Sequence, residues 1–192
     1  MLTRKRGKRS ATALVSFWLP ALLVVAPLAF AAGDRDVGDA DSFSGSCHFA
    51  GTLSFVPPLK TEFQVVHTVA SAQGPCDGTF TDQKGRTRAL NGEPVRYAVD
   101  ATGQISCGPG GQNTGTGYMQ FGREKLYFAF SEVREAGSAT LTLTGLNGGS
   151  ATGQGTVSPD EDPVDLAAKC AGAGLAQVRV TIDIVAPSSI SG

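Results

Sequence analysis

The apolar residues of this chain return at every second position, in one short run after another, and that period decides what the chain can fold into. In AQVRVTIDI, Val178, Val180, Ile182 and Ile184 alternate with Gln177, Arg179, Thr181 and Asp183. Neighbouring side chains of a strand point to opposite faces, so such a run is a strand with one buried face. CHFAGTLSFVPPL repeats the pattern, with Cys47, Phe49, Leu53 and Phe55 on one face and His48, Thr52 and Ser54 on the other. The Pro57-Pro58 pair is expected to stop it, since proline cannot donate to a ladder. EFQVVHTVA places Phe63, Val65, His67 and Val69 on one side, taken here as the buried one. CDGTFTD, PVRYAVD, GQISC, TGYMQF, KLYFAF, ATLTLTGL and ATGQGTV continue the series, each bounded by turn-forming residues. LNGG, beginning at Leu146, suits a tight turn between two strands.

One segment breaks the period. In DPVDLAAKCAG, Asp162 suits an N-cap, Pro163 the first helical position and Gly172 the end, while Leu166 and Cys170 fall on one helical face. The chain is therefore expected to be all-β: a single antiparallel barrel or flattened barrel of about 8–10 strands, with one short helix before the last strand. A strand at each end of the domain invites closure of first on last, which removes exposed edges. A two-sheet sandwich is the alternative architecture.

The N-terminal segment has another logic. Arg4, Lys5, Arg6, Lys8 and Arg9 precede an apolar run that closes on Ala29-Phe30-Ala31. Basic, apolar and then small is the order of a secretory signal, with cleavage expected between Ala31 and Ala32. Pro20 and Pro27 argue against a membrane anchor, and no membrane span is expected after cleavage. The expected organisation is a signal peptide over 1–31, a flexible acidic leader over 32–44, a β-domain over 45–186 and a flexible tail over 187–192. Removing the 31-residue signal from the 192-residue chain leaves 161 residues, enough for one core. Because five of the 16 basic residues leave with it, 11 remain against 17 acids, a formal charge of −6. Scattered single cations on an acidic chain are not a nucleic-acid surface.

Cys47, Cys76, Cys107 and Cys170 are even in number and lack metal-type C-x-x-C spacing. In an exported chain they are expected to form two disulfides. Three connectivities are possible. A hairpin between the first two strands, with Phe55 opposite Phe63, brings Cys47 near Cys76 and leaves Cys107 for Cys170. A nucleophilic cysteine would leave an odd thiol in an oxidising compartment.

Other chemistry is thin. Glycine-rich GPGGQNTGTG (108–117) lacks the Lys-Ser/Thr ending of a phosphate loop and is expected to be a flexible loop. The acids over 34–41 and 160–165 do not have the spacing of a calcium loop. His48 is expected to face solvent and His67 the apolar side, so they form no metal pair. No G-x-S-x-G elbow is present. The sole tryptophan, Trp18, lies in the signal, leaving Tyr97, Tyr118 and Tyr127 as amphipathic aromatics, expected at core or rim positions.

The order C-x-x-x-G-T-x-x-F-x-P-P-L from Cys47, a Pro-Cys at Cys76, a Ser-Cys at Cys107 and a late Cys170 before the final strand resembles a family of secreted actinobacterial β-proteins with no assigned activity. The resemblance spans Ser46 to about Ile184 and rests on structural motifs, so it implies a fold and supplies no catalytic residue. Family members often carry a tryptophan in the middle strands, where this chain has Phe121.

These features favour an exported, disulfide-stapled, monomeric β-domain without cofactor, non-enzymatic, which binds a small ligand or lies against the cell envelope. A barrel of ~8 strands can hold one small molecule. The rival readings are an exported hydrolase with dispersed catalytic residues, and a module or inhibitor that presents a loop such as 108–117 to an extracellular protein.

Overall fold

The computed structural model describes residues 40–135 and 137–192. The expected signal peptide and its cleavage point at Ala31 and Ala32 lie outside the described residues. Eight antiparallel strands close into one barrel in chain order: β1 (Ser42–Leu59), β2 (Gln64–Thr81), β3 (Thr87–Ile105), β4 (Gly111–Phe121), β5 (Glu124–Glu135), β6 (Ser138–Gly145), β7 (Gly148–Val157) and β8 (Leu175–Ser191). β8 returns to pair with β1, so every strand has two neighbours and the sheet has no free edge. The sandwich alternative does not occur.

The ten alternating runs condense into eight strands because two expected breaks are continuous strand. EFQVVHTVA and CDGTFTD join across Gly74 and Pro75 into β2. Pro75 lies opposite Pro94 of β3, and the ladder to β1 passes from Cys47↔Cys76 to Ala50↔Gln73 without it. PVRYAVD and GQISC likewise join into β3. The Pro57-Pro58 pair does not stop β1, which runs on to Leu59 through a register shift against β8.

The face of β2 is the reverse of the expected one. Val66, Thr68 and Ala70 point inward, while Val65 is 66% and Phe63 53% exposed. His67 therefore lies on the outside of the barrel. The β1–β2 register also differs: Phe55 faces Thr68, and Cys47 lies directly across from Cys76. That pair is disulfide-bonded, as are Cys107 and Cys170, and no free cysteine remains among the described residues.

Strand structure reaches into both segments expected to be flexible, of which 32–39 lies outside the described residues. β1 begins at Ser42, inside the segment assigned to the leader, and Phe43 is buried. The 187–192 segment belongs to β8 rather than to a tail: Ile190 is buried, Ser191 pairs with Ser42, and the Gly192 amide donates to the Asp41 carbonyl. Both ends of the domain thus meet at one end of the barrel. The helix α1 (Pro163–Ala171) has the expected boundaries, with Asp162 Oδ1 accepting from the Val164 amide at 2.8 Å.

Candidate functional site

The inward side chains change character along the barrel. At the terminal end of the barrel, where β1 begins and β8 ends, Phe43, Phe80 and Phe121 meet in a stack, with ring centres 5.1 Å (Phe43–Phe121) and 4.7 Å (Phe80–Phe121) apart. Leu90 and Ile190 are buried at the same end. A second aromatic layer crosses the middle, where Tyr97 stacks on Phe49 at 5.3 Å and Phe128 at 5.9 Å. Gly117 makes room for this layer, since a Cβ there would lie 2.6 Å from the Phe128 ring.

Beyond Tyr97 the interior is not filled. A cavity of about 480 Å³ opens there, within the roughly 300–1,000 Å³ range of small-molecule sites. Its walls include Leu53 and Phe55 from β1, Phe130 from β5, Leu141 from β6, and Val180 and Ile182 from β8. The space exists because small residues take inward positions at this level: Ala70 of β2, Ala139 of β6 and Gly155 of β7. A Cβ built on Gly155 meets nothing closer than 3.8 Å, so no packing constraint keeps that position small.

Polar side chains interrupt the apolar wall, chief among them Glu132, Arg134 and Tyr97. The inward phase of β5 runs Leu126, Phe128, Phe130 and then continues into Glu132 and Arg134. Arg134 Nε donates to Glu132 Oε1 at 2.8 Å, and both side chains are largely buried, at 14% and 7% exposure. The guanidinium lies 5.3 Å from the centre of the Phe55 ring, a cation–π contact. Tyr97 is the third. Burial pushes its hydroxyl far above the usual phenol range, and the Glu132 charge pushes it further, so it stays a neutral donor and acceptor.

The polar groups around this spot are under-satisfied. Arg134 Nη2, both amide atoms of Asn113 and Thr68 Oγ1 are buried without a hydrogen-bond partner. Asn113 is the β4 neighbour of Glu132 and Thr68 the β2 neighbour of Phe55 in the register, so both flank residues of the cavity wall without lining it themselves. Buried polar atoms without partners each cost free energy, and binding sites are where such costs are commonly retained.

The mouth is covered by α1. Leu166 and Cys170, one turn apart, face the cavity, and Cys107, bonded to Cys170, lines it beside them. α1 has no fully buried residue of its own. It is held by the Cys107–Cys170 bond at one end and by Glu161 at the other, whose Oε1 accepts from the Arg179 amide at 2.8 Å.

The remaining sequence candidates lie elsewhere. His48 Nδ1 is 2.5 Å from Asp183 Oδ1 and His67 Nε2 is 2.8 Å from Asp100 Oδ1, both on the outer face, and neither lines the cavity. Residues 108–117 are not a protruding loop, because from Gly111 onward they form β4. In the 160–165 acids, Asp162 caps α1, Glu161 binds Arg179 and Asp165 pairs with Lys169 at 2.6 Å. Among the described residues no three potential metal ligands converge. Tyr118 and Tyr127 sit outside, 6.0 Å apart, with Lys125 above Tyr118. Phe121 belongs to the closed end. Sequence reading missed Glu132 and Arg134 altogether; the available signal was a charged pair at i and i+2 that continues the inward phase of KLYFAF. Comparison with protein-family models, curated proteins and solved structures gives no match.

Proposed function

We propose that this protein is an exported, non-enzymatic binder of one small, mainly apolar molecule, held inside the barrel under α1. The observation that carries the reading is the cavity itself: apolar walls, three convergent polar groups and a cross-linked helix over the mouth. That combination is the usual form of a small-molecule site. Export accords with the basic, apolar and Ala-x-Ala order of the N-terminus, and with four cysteines paired in two bonds. The hydrolase reading finds less support: Ser106 lines the cavity without a histidine beside it, and Glu132 there is already paired with Arg134. The presented-loop reading loses its loop to β4.

Gly155 supplies the test. Gly155→Phe projects a ring into the cavity from a position with open space at Cβ. The native protein should bind a neutral apolar dye such as Nile red with one-to-one stoichiometry, and the variant should lose that binding while melting no lower. Equal dye binding by both proteins would place the dye on the outer surface and refute the internal site.

A further inference from the structure

The polar spot also limits which molecules the cavity can take, and this step rests on the cavity reading above. Glu132 and Arg134 neutralise each other within the wall, so the site carries no net charge to offset a charged ligand. Among the described residues the other acid or base side chain at the cavity besides the neutral Tyr97 is Glu135, at the end of β5, which adds a negative charge. A carboxylate entering here would give up its hydration beside two carboxylates, and the charge of the one cation, Arg134, is already matched by Glu132. An ammonium would give up its hydration beside a guanidinium. Burying an unpaired charge is far more costly than burying a hydroxyl or carbonyl that finds a partner.

Partners for a neutral polar group are present. Tyr97 lines the cavity, and its hydroxyl lies close enough to Glu132 to feel that charge. Glu132 uses one carboxylate oxygen for Arg134. Its second oxygen can accept from a ligand hydroxyl, while Tyr97 can donate to a hydroxyl or carbonyl oxygen. We infer that the ligand is an uncharged, predominantly hydrocarbon molecule bearing a hydroxyl or carbonyl group, which binds with that group against Tyr97 and Glu132 and its hydrocarbon body along β1, β6 and β8.

Three probes with one chain and different heads test this: decan-1-ol, decanoate and decylamine, each displacing Nile red from the folded protein at pH 7. Decan-1-ol should bind at least tenfold more tightly than either charged analogue. Tyr97→Phe, which removes only the hydroxyl, should weaken decan-1-ol about three- to tenfold and leave decanoate unchanged, with a thermal melt as the folding control. Decanoate or decylamine binding as tightly as the alcohol would overturn the head-group assignment and leave the cavity reading intact. Failure of decan-1-ol to displace bound dye, or an unaltered affinity in Tyr97→Phe, would overturn it as well. If the native protein binds neither dye nor any probe, the cavity reading itself fails.

Discussion

The two ends of this barrel are built from the same eight strands and differ in what their inward side chains do. At the terminal end, Phe43, Phe80 and Phe121 fill the section with stacked rings. At the α1 end, Ala70, Ala139 and Gly155 leave it open, and Glu132, Arg134 and Tyr97 give the opening a polar spot. A barrel of ~8 strands has an interior that side chains can just fill, so residue size alone decides between plug and cavity. One end is spent on stability, and the other keeps a space that stability would fill.

The disulfides divide along the same line. Cys47–Cys76 joins residues that already face each other in the ladder, closing a separation of 29 residues. Cys107–Cys170 closes 63 and ties α1 to the mouth. In the chain-entropy model these bonds contribute about 3.6 and about 4.3 kcal/mol. Replacing Cys107 and Cys170 together by serine should therefore destabilise somewhat more than replacing Cys47 and Cys76. The sharper contrast is kinetic. Only the Cys107/Cys170 variant should release bound dye faster, because only it frees the cover. Equal release rates in stopped-flow measurements would show that α1 does not gate the cavity.

Truncations should separate the ends next. Phe121→Ala removes a ring packed on two others and should cost about 3–5 kcal/mol. Val180→Ala removes methyl groups that already face the void, so it opens little new space and should cost about 1 kcal/mol. Urea unfolding of both variants checks the ratio. Similar losses would mean that the α1 end packs as densely as the other.

Legibility in the sequence followed the same physics. β8 and the first part of β1 could be phased because one side was apolar and the other polar, and α1 could be bounded to the residue because Asp162, Pro163 and Gly172 each have one use there. β2 could not be phased. Val65 and Val69 lie on one side and Val66 and Ala70 on the other, so the pattern carried no sign, and a slip of one residue inverts every side chain. Gly74-Pro75 looked like a break because proline lacks a donor, yet the ladder to β1 skips that point. The cavity was invisible for a different reason. It depends on small residues from strands far apart in sequence meeting at one level, and on charged residues pointing inward, which patterning assigns to the surface.

The smallest contrast lies in pH dependence, where the two ends should have opposite signs. At the α1 end, the Arg179 backbone amide, with the Arg179 side chain, holds the Glu161 carboxyl below its ordinary range. A lowered folded value stabilises the fold above the unfolded value of about 4.3 and loses that contribution as pH falls through the folded one. At the terminal end, burial raises the Asp41 carboxyl, more than the Gln83 amide bonded to it lowers it. A raised folded value favours the fold most in acid and loses that contribution as pH rises from the unfolded value of about 3.9 through the folded one. Between about pH 3 and 6, stability should thus rise less steeply in Glu161→Gln than in the native protein. It should rise more steeply in Asp41→Asn, which keeps the acceptor for Gln83 and removes the proton linkage. Urea midpoints across that range decide the signs. A steeper slope in Glu161→Gln would show that its bonds to Arg179 do not hold the approach to α1, and α1 would then depend on Cys107–Cys170 alone.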